Sequence, residues 1–158
     1  MPKIRHIALA TKDPQATAEF YKKAFGFKEV ARTSDAGGRN TLAHGIYLSD
    51  GTLNLAILKF EWDQLGKGLD YVGIHHFGIL VDEDVDGWIE KLETLGAECF
   101  LKRDPNNHLG AFFETKFRGP DGVVFDVADH PWAGSAPTDA DTASTPKATA
   151  TAKSEAAD

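Results

Sequence analysis

The chain has little of what defines several protein classes. Cys99 is the one cysteine among 158 residues, so no disulfide can form within the chain, and a reducing cytoplasm is the expected location. Lysine and arginine total 17 against 24 aspartate and glutamate residues, which leaves a net charge of −7. Because such a balance repels nucleic acids and anionic membrane surfaces, we expect neither as a partner.

Long apolar runs are also missing. No run approaches the roughly 20 residues that span a bilayer, and the N-terminal segment MPKIRHIALA mixes charged with apolar residues, unlike a secretory signal. We therefore expect a soluble protein. Hydrophobic residues make up 42% of the chain, enough for one compact domain, which we assign to residues 1–132.

Residues 133–158 contain no aromatic residue and no Val, Ile, Leu or Met. Such a segment cannot offset the entropy lost on ordering, so we predict a disordered Ala/Thr/Ser/Pro tail.

Deleting residues 133–158 is expected to leave the thermal unfolding midpoint, measured by calorimetry, nearly unchanged. A fall of more than about 4 °C, equivalent to about 1 kcal/mol, would show instead that the tail docks on the domain.

The strongest positive feature is an internal repeat. His6 in IRHIALAT and His76 in IHHFGILV each begin an alternating, strand-like segment, and Gly26 and Gly96 follow twenty residues after them. The two histidines, like the two glycines, are 70 residues apart, which indicates one structural unit present twice.

Local signals predict the same element order in each unit. Alternation predicts a strand over residues 4–11, Asp13 and Pro14 mark a helix start, and Gly26 marks its end. Three short strands follow, and a second βαβββ series begins after a flexible linker. The predicted fold is α+β, with module 1 at about residues 4–58, a linker at about 59–73 and module 2 at about 74–129.

The strand residues separate into two faces. One set of alternate strand positions is apolar, and its side chains are expected to pack beneath the helices. Ile57, Val123 and Val127 belong to this set. The other set of alternate positions, on the opposite face, contains small and polar residues in turn. Its members are His6, Ala8, Asn54, Ala56, His76, Gly78, Asp126 and Ala128. This second face is expected to line the cavity of a curled, barrel-like mixed sheet.

The motifs RHIALAT with FYKKAFGF, HHFGILV with LETLGA, and PDGVVFDVA resemble those of the vicinal oxygen chelate superfamily, which includes glyoxalases, bleomycin resistance proteins and extradiol dioxygenases. The resemblance implies metal ligands on the first and last strands of each module, here His6, Asn54, His76 and Asp126. Two histidines and a carboxylate suit one divalent transition metal with open positions. Fe(II) is the favoured ion, with Mn(II), Zn(II), Ni(II) and Co(II) as alternatives. Asn54 is equally suited to a hydrogen bond outside the ligand set.

The family's shared chemistry is chelation of two adjacent oxygens of a small organic substrate. Asn54 cannot act as a base near neutral pH, which weighs against a glyoxalase-like lyase, isomerase or epimerase. An Fe(II) extradiol-type dioxygenase is therefore slightly favoured over that alternative. A metal-free drug-binding protein is the second alternative, and the resemblance also implies a homodimer.

Other polar residues are secondary candidates. His108, in the polar loop DPNNHLG, and Tyr47 are the candidate catalytic groups, and Arg118 and His44 are candidate substrate contacts. His75 precedes His76, so strand alternation predicts that it points to the opposite face.

Overall fold

The computed structural model describes residues 1–33, 43–81, 84–104 and 114–129. Its eight strands are β1 (Lys3–Ala10), β2 (Lys28–Arg32), β3 (Ala43–Ser49), β4 (Asn54–Phe60), β5 (Gly73–Leu80), β6 (Glu98–Leu101), β7 (Thr115–Arg118) and β8 (Val124–Ala128). Its two α-helices are α1 (Pro14–Phe25) and α2 (Val85–Thr94). A 3-10 turn, Pro120–Gly122, precedes β8.

Both helices begin at the aspartates that the sequence provides for them. Asp13 Oδ1 accepts a hydrogen bond from the Ala16 backbone N–H at 2.9 Å, and Pro14 occupies the first turn of α1. Asp84 caps α2 in the same way through the Gly87 N–H at 2.9 Å. Gly26 ends α1 in the left-handed region, at φ 73°.

All eight strands form one sheet in the order β2-β3-β4-β1-β5-β8-β7-β6. Strands β1 and β5 form an antiparallel pair at the centre of the sheet. Read outward from this pair, both halves have the same strand order. The next strand in the sheet is parallel in each half, β4 beside β1 and β8 beside β5. The repeat predicted from the 70-residue offset is therefore confirmed as a repeated sheet half. The sheet is curled but unclosed, with β2 and β6 at its edges in the described part of the chain.

Each helix covers an apolar cluster on one face of the sheet. Ala18 of α1 packs against Ile46, Leu48 and Ile57, and Val85 and Ile89 of α2 pack against Phe117 and Val127, together with Val81. The prediction that Ile57 and Val127 pack beneath the helices is thus confirmed. The same prediction is wrong for Val123, which is 52% exposed because it lies between the 3-10 turn and β8. Among the described residues, neither helix is long and apolar enough to cross a membrane.

Candidate metal centre

The four central strands bring polar side chains to the sheet face opposite the helices. His6 on β1 lies opposite Asn54 of β4 on one side and Gly78 of β5 on the other, and Gly78 lies opposite Asp126 of β8. His76 is two residues before Gly78 on β5. His6, Asn54 and Asp126 have no exposed surface, and His76 is 4% exposed.

Gly78 lets these side chains approach one another. A Cβ atom at this position would lie 2.0 Å from Cε1 and 2.3 Å from Nδ1 of His6, and 2.6 Å from Oδ1 of Asp126. These separations are far below van der Waals contact, so any side chain at residue 78 would displace the histidine ring or the carboxylate.

Two register shifts between β1 and β5 add further residues to the polar face. The shifts fall at Arg5 and at His75, which are 70 residues apart and hence equivalent in the repeat. The prediction that His75 points away is wrong. Its Nδ1 lies 2.7 Å from Nδ1 of His76, its ring stacks on Phe60, and the residue is 7% exposed. A bulge places two consecutive side chains on the same side, which simple alternation does not anticipate.

Four buried residues form a group whose chemistry suits a metal ion. His6, His76, Glu114 and Asp126 each offer one ligand atom, and the four atoms lie within 4.8 Å of one another. His76 Nε2 is 3.2 Å and His6 Nε2 3.5 Å from Asp126 Oδ2. Nitrogen and oxygen ligands bind transition metals at about 2.0–2.2 Å, so donors around one ion are at most about 4.4 Å apart. The 4.8 Å bound is slightly above that limit, and all four donors come from one chain.

Glu114 is the member of this group that sequence reasoning missed. It lies just before β7 and is 6% exposed. Lys116 lies opposite Asp126 in the β7–β8 pair, so Glu114, two residues earlier, lies near the same carboxylate. The charged residues Glu114 and Lys116 within the phenylalanine-rich stretch FFETKF were the available signal, because charges that become buried in such a strand need a partner.

Two buried cations balance the two carboxylates. Lys116 Nζ donates to Asp126 Oδ2 at 3.1 Å and to Glu114 Oε2 at 3.4 Å, and it lies 3.5 Å from His76 Nε2. Arg5 Nη2 forms an ion pair with Glu114 and lies 3.5 Å from Asp126 Oδ1. Two positive and two negative side chains therefore lie together beside the two imidazoles.

The surroundings shift the pKa values of His76, Asp126 and Lys116. Burial and the nearby Lys116 ammonium lower the pKa of His76 to about 4, so its imidazole is neutral at pH 7 and able to bind a metal through nitrogen. Burial alone raises the pKa of Asp126, but Lys116 and the two histidines outweigh it and hold that pKa well below its usual range. For Lys116, burial lowers the pKa, yet Asp126 and Glu114 produce a net upward shift.

A shallow depression with an enclosed volume of about 10 Å³ adjoins this cluster. Aromatic residues line much of it, and its walls include Phe60, Trp62, Tyr71 and His75. Because His75 also contacts His76, the depression is separated from the donor group by one side chain.

The structure brings two further predicted residues close to the donor group. Asn54 is fully buried and lies opposite His6, as the resemblance implies. Tyr47 lies opposite Ala56 on the same face. Burial, assisted by the Glu114 carboxylate, raises the pKa of Tyr47 to about 12, so its hydroxyl keeps its proton at neutral pH.

The other predicted residues are not part of the group. His44 lies opposite Lys59, and its half-exposed ring is 3.8 Å from Glu61. Arg118 donates to Glu98 Oε2 at 3.3 Å and to the Gln64 carbonyl at 3.0 Å. Their substrate-binding roles stay predictions, and His108 lies outside the described residues.

The chain belongs to the Glyoxalase/Bleomycin resistance protein/Dioxygenase superfamily, whose family model matches residues 3–127. This match confirms the family expected from the motifs around His6, His76 and Asp126. A search of curated proteins found no match.

Solved structures share the fold at low sequence identity. A hypothetical protein, BH1468, from Bacillus halodurans C-125 is 18% identical, with a TM-score of 0.61 over 80% of this chain and 92% of that chain. Streptomyces coelicolor methylmalonyl-CoA epimerase, in complex with 2-nitronate-propionyl-CoA, is 22% identical, with a TM-score of 0.61 over 79% and 94%. The Mycobacterium tuberculosis methylmalonyl-CoA epimerase is 16% identical, with a TM-score of 0.58 over 78% and 85%. At these identities the likeness establishes the fold alone.

Proposed function

We propose that the protein is a divalent-metal-dependent isomerase or epimerase that moves a proton on carbon beside a chelated pair of substrate oxygens. The observation that carries this proposal is Glu114. Asn54 leaves the first module without a carboxylate base, and on the sequence alone this weighs against proton transfer. Glu114 supplies a buried carboxylate within 4.8 Å of the other donors, so that objection no longer holds.

Each residue has a proposed role that follows from its functional group. His6, His76 and Asp126 would hold the ion, and a bound ion would polarise a substrate carbonyl and stabilise enolate-like charge. Glu114 accepts the proton from the adjacent carbon and returns it, while Arg5 fixes its carboxylate by an ion pair. Tyr47 stays protonated, so it serves as a hydrogen-bond donor to substrate oxygen rather than as a base.

The Fe(II) dioxygenase hypothesis, slightly favoured by the sequence, is less well supported. It requires a two-histidine, one-carboxylate set with open positions for both substrate and dioxygen. Glu114 adds a second buried carboxylate, which proton transfer uses and for which the dioxygenase hypothesis provides no role. The metal-free drug-binding alternative leaves the clustering of four donor residues unexplained. The cytoplasmic location and the homodimer remain proposals drawn from the sequence and the family resemblance.

Replacing Glu114 with glutamine tests the proton-transfer role. Methylmalonyl-CoA is the first substrate to try, since epimerases with this fold bind related compounds, and proton exchange at its C2 carbon can be followed by NMR in D₂O. At saturating Co²⁺ we expect Glu114→Gln to slow exchange by about 100-fold, because glutamine cannot accept the proton. Glu98→Gln is the control, since Glu98 is an exposed partner of Arg118, and its rate should match the wild type.

An unchanged exchange rate in Glu114→Gln would contradict the assignment of the base. If the wild type exchanges no proton of methylmalonyl-CoA but consumes oxygen with a catechol and Fe²⁺, the isomerase proposal is overturned in favour of the dioxygenase.

A further inference from the structure

Lys116 lies inside the donor group rather than beside it. Its Nζ atom is 3.1 Å from Asp126 Oδ2, 3.4 Å from Glu114 Oε2 and 3.5 Å from His76 Nε2. It therefore contacts three of the four residues that can hold a metal ion, and in two of them it contacts the negatively charged oxygens. A metal ion bound by His76 Nε2 and the ammonium at its present place compete for the single lone pair of that nitrogen, and both draw on the same oxygen of Asp126.

The charges of the cluster also indicate that Lys116 and a divalent ion compete for the site. Arg5 and Lys116 already pair with Glu114 and Asp126, so each buried carboxylate has a cation beside it. A divalent ion would add two positive charges to a site where Lys116 is only 4% exposed and water screens little. Moving the lysine ammonium out of the site removes one positive charge and frees the carboxylate oxygens.

Lysine is suited to leave such a site, whereas arginine is suited to stay. The Lys116 ammonium is a compact charge on a flexible stem. Arg5 presents a planar, permanently charged fork, which pairs with Glu114 and also approaches Asp126.

We propose that Lys116 is a built-in cation that competes with the divalent metal for Asp126 and His76, and so sets the metal affinity of the site. The inference rests on the metal centre proposed above. It adds that this chain binds its metal more weakly than the same donors would without the lysine.

The test compares Co²⁺ binding to the full-length wild type, Lys116→Met and Lys59→Met, by calorimetry and by the visible absorption of bound cobalt. Lys116→Met removes the charge and keeps a flexible apolar chain of similar length. We expect it to bind Co²⁺ at least about tenfold more tightly than the wild type, at about one ion per chain. Lys59 is exposed on β4, so Lys59→Met should bind like the wild type.

Two further variants keep the test decisive if Lys116→Met does not fold. Lys116→Gln retains a hydrogen-bond donor without the charge and should also bind more tightly. Lys116→Arg retains the charge and should bind no more tightly than the wild type.

The possible results separate the competition from the metal centre itself. If the wild type binds Co²⁺ and the neutral variants bind it equally well or more weakly, the competition is overturned and the metal centre stands. If neither the wild type nor the neutral variants bind Co²⁺, both the competition and the proposed metal centre are overturned.

Discussion

Replacing Asp126 with asparagine is expected to abolish tight divalent-metal binding and to lower the free energy of unfolding by about 3–5 kcal/mol. Asp126 is fully buried and accepts from Lys116 at 3.1 Å, with Arg5 3.5 Å away on its other oxygen. The neutral amide would leave these buried cations short of negative charge, and the carboxylate around which both histidines gather would be lost. Denaturant unfolding measures the loss of stability, and Co²⁺ titration measures the loss of binding.

Asp129→Asn is the matched control for this variant. Asp129 lies three residues further along and accepts from Arg103 at 2.9 Å, but the side chains of Arg103 and Asp129 are 23% and 16% exposed. A partly solvated pair contributes about 1 kcal/mol or less, so this variant should bind metal normally and lose little stability. Equal losses in the two variants would contradict the special role of Asp126.

Replacing Gly78 with alanine is expected to remove tight metal binding and to cost about 3 kcal/mol of folding stability. The added Cβ would lie 2.0 Å from Cε1 of His6 and 2.6 Å from Oδ1 of Asp126, so these two donors would have to move apart. Neither can move freely, because both are fully buried. Thermal unfolding and Co²⁺ titration of Gly78→Ala measure the two effects.

Gly119→Ala separates this clash from the general effect of adding a methyl group. Gly119 has φ −88°, and a Cβ there would meet nothing closer than Phe125 Cε1 at 3.2 Å. Its stability should change by less than about 1 kcal/mol, with metal binding unaltered. Normal Co²⁺ affinity in Gly78→Ala would show that the His6–Asp126 geometry does not govern the site.

The sequence predicts those parts of the fold that depend on local chemistry. Asp13, Pro14 and Gly26 act within one or two turns of α1, so their roles can be inferred from spacing alone. The repeat is equally visible, since the two histidines stand at equivalent positions of equivalent strands. The alternation of β1 and β8 placed His6 and Asp126 on the same face, and the structure brings them together.

The parts of the site that the sequence did not predict arise from contacts between distant segments. Arg5 and Glu114 are 109 residues apart, and their ion pair depends on β7 lying next to β8. His75 turns inward because of a register shift between β1 and β5, which is a property of the pairing and not of either strand. Lys116 resembles an ordinary charged strand residue until its partner Asp126 is located on the adjacent strand.

The measurement that most directly tests the central claim is X-ray absorption spectroscopy of the wild type reconstituted with Co²⁺, combined with elemental analysis. We predict about one ion per chain, coordinated by two imidazoles from His6 and His76 and by carboxylate oxygens, with the imidazole signal reduced in His76→Ala. An ion bound without imidazole ligands, or no bound ion at all, would contradict a metal centre at His6, His76 and Asp126.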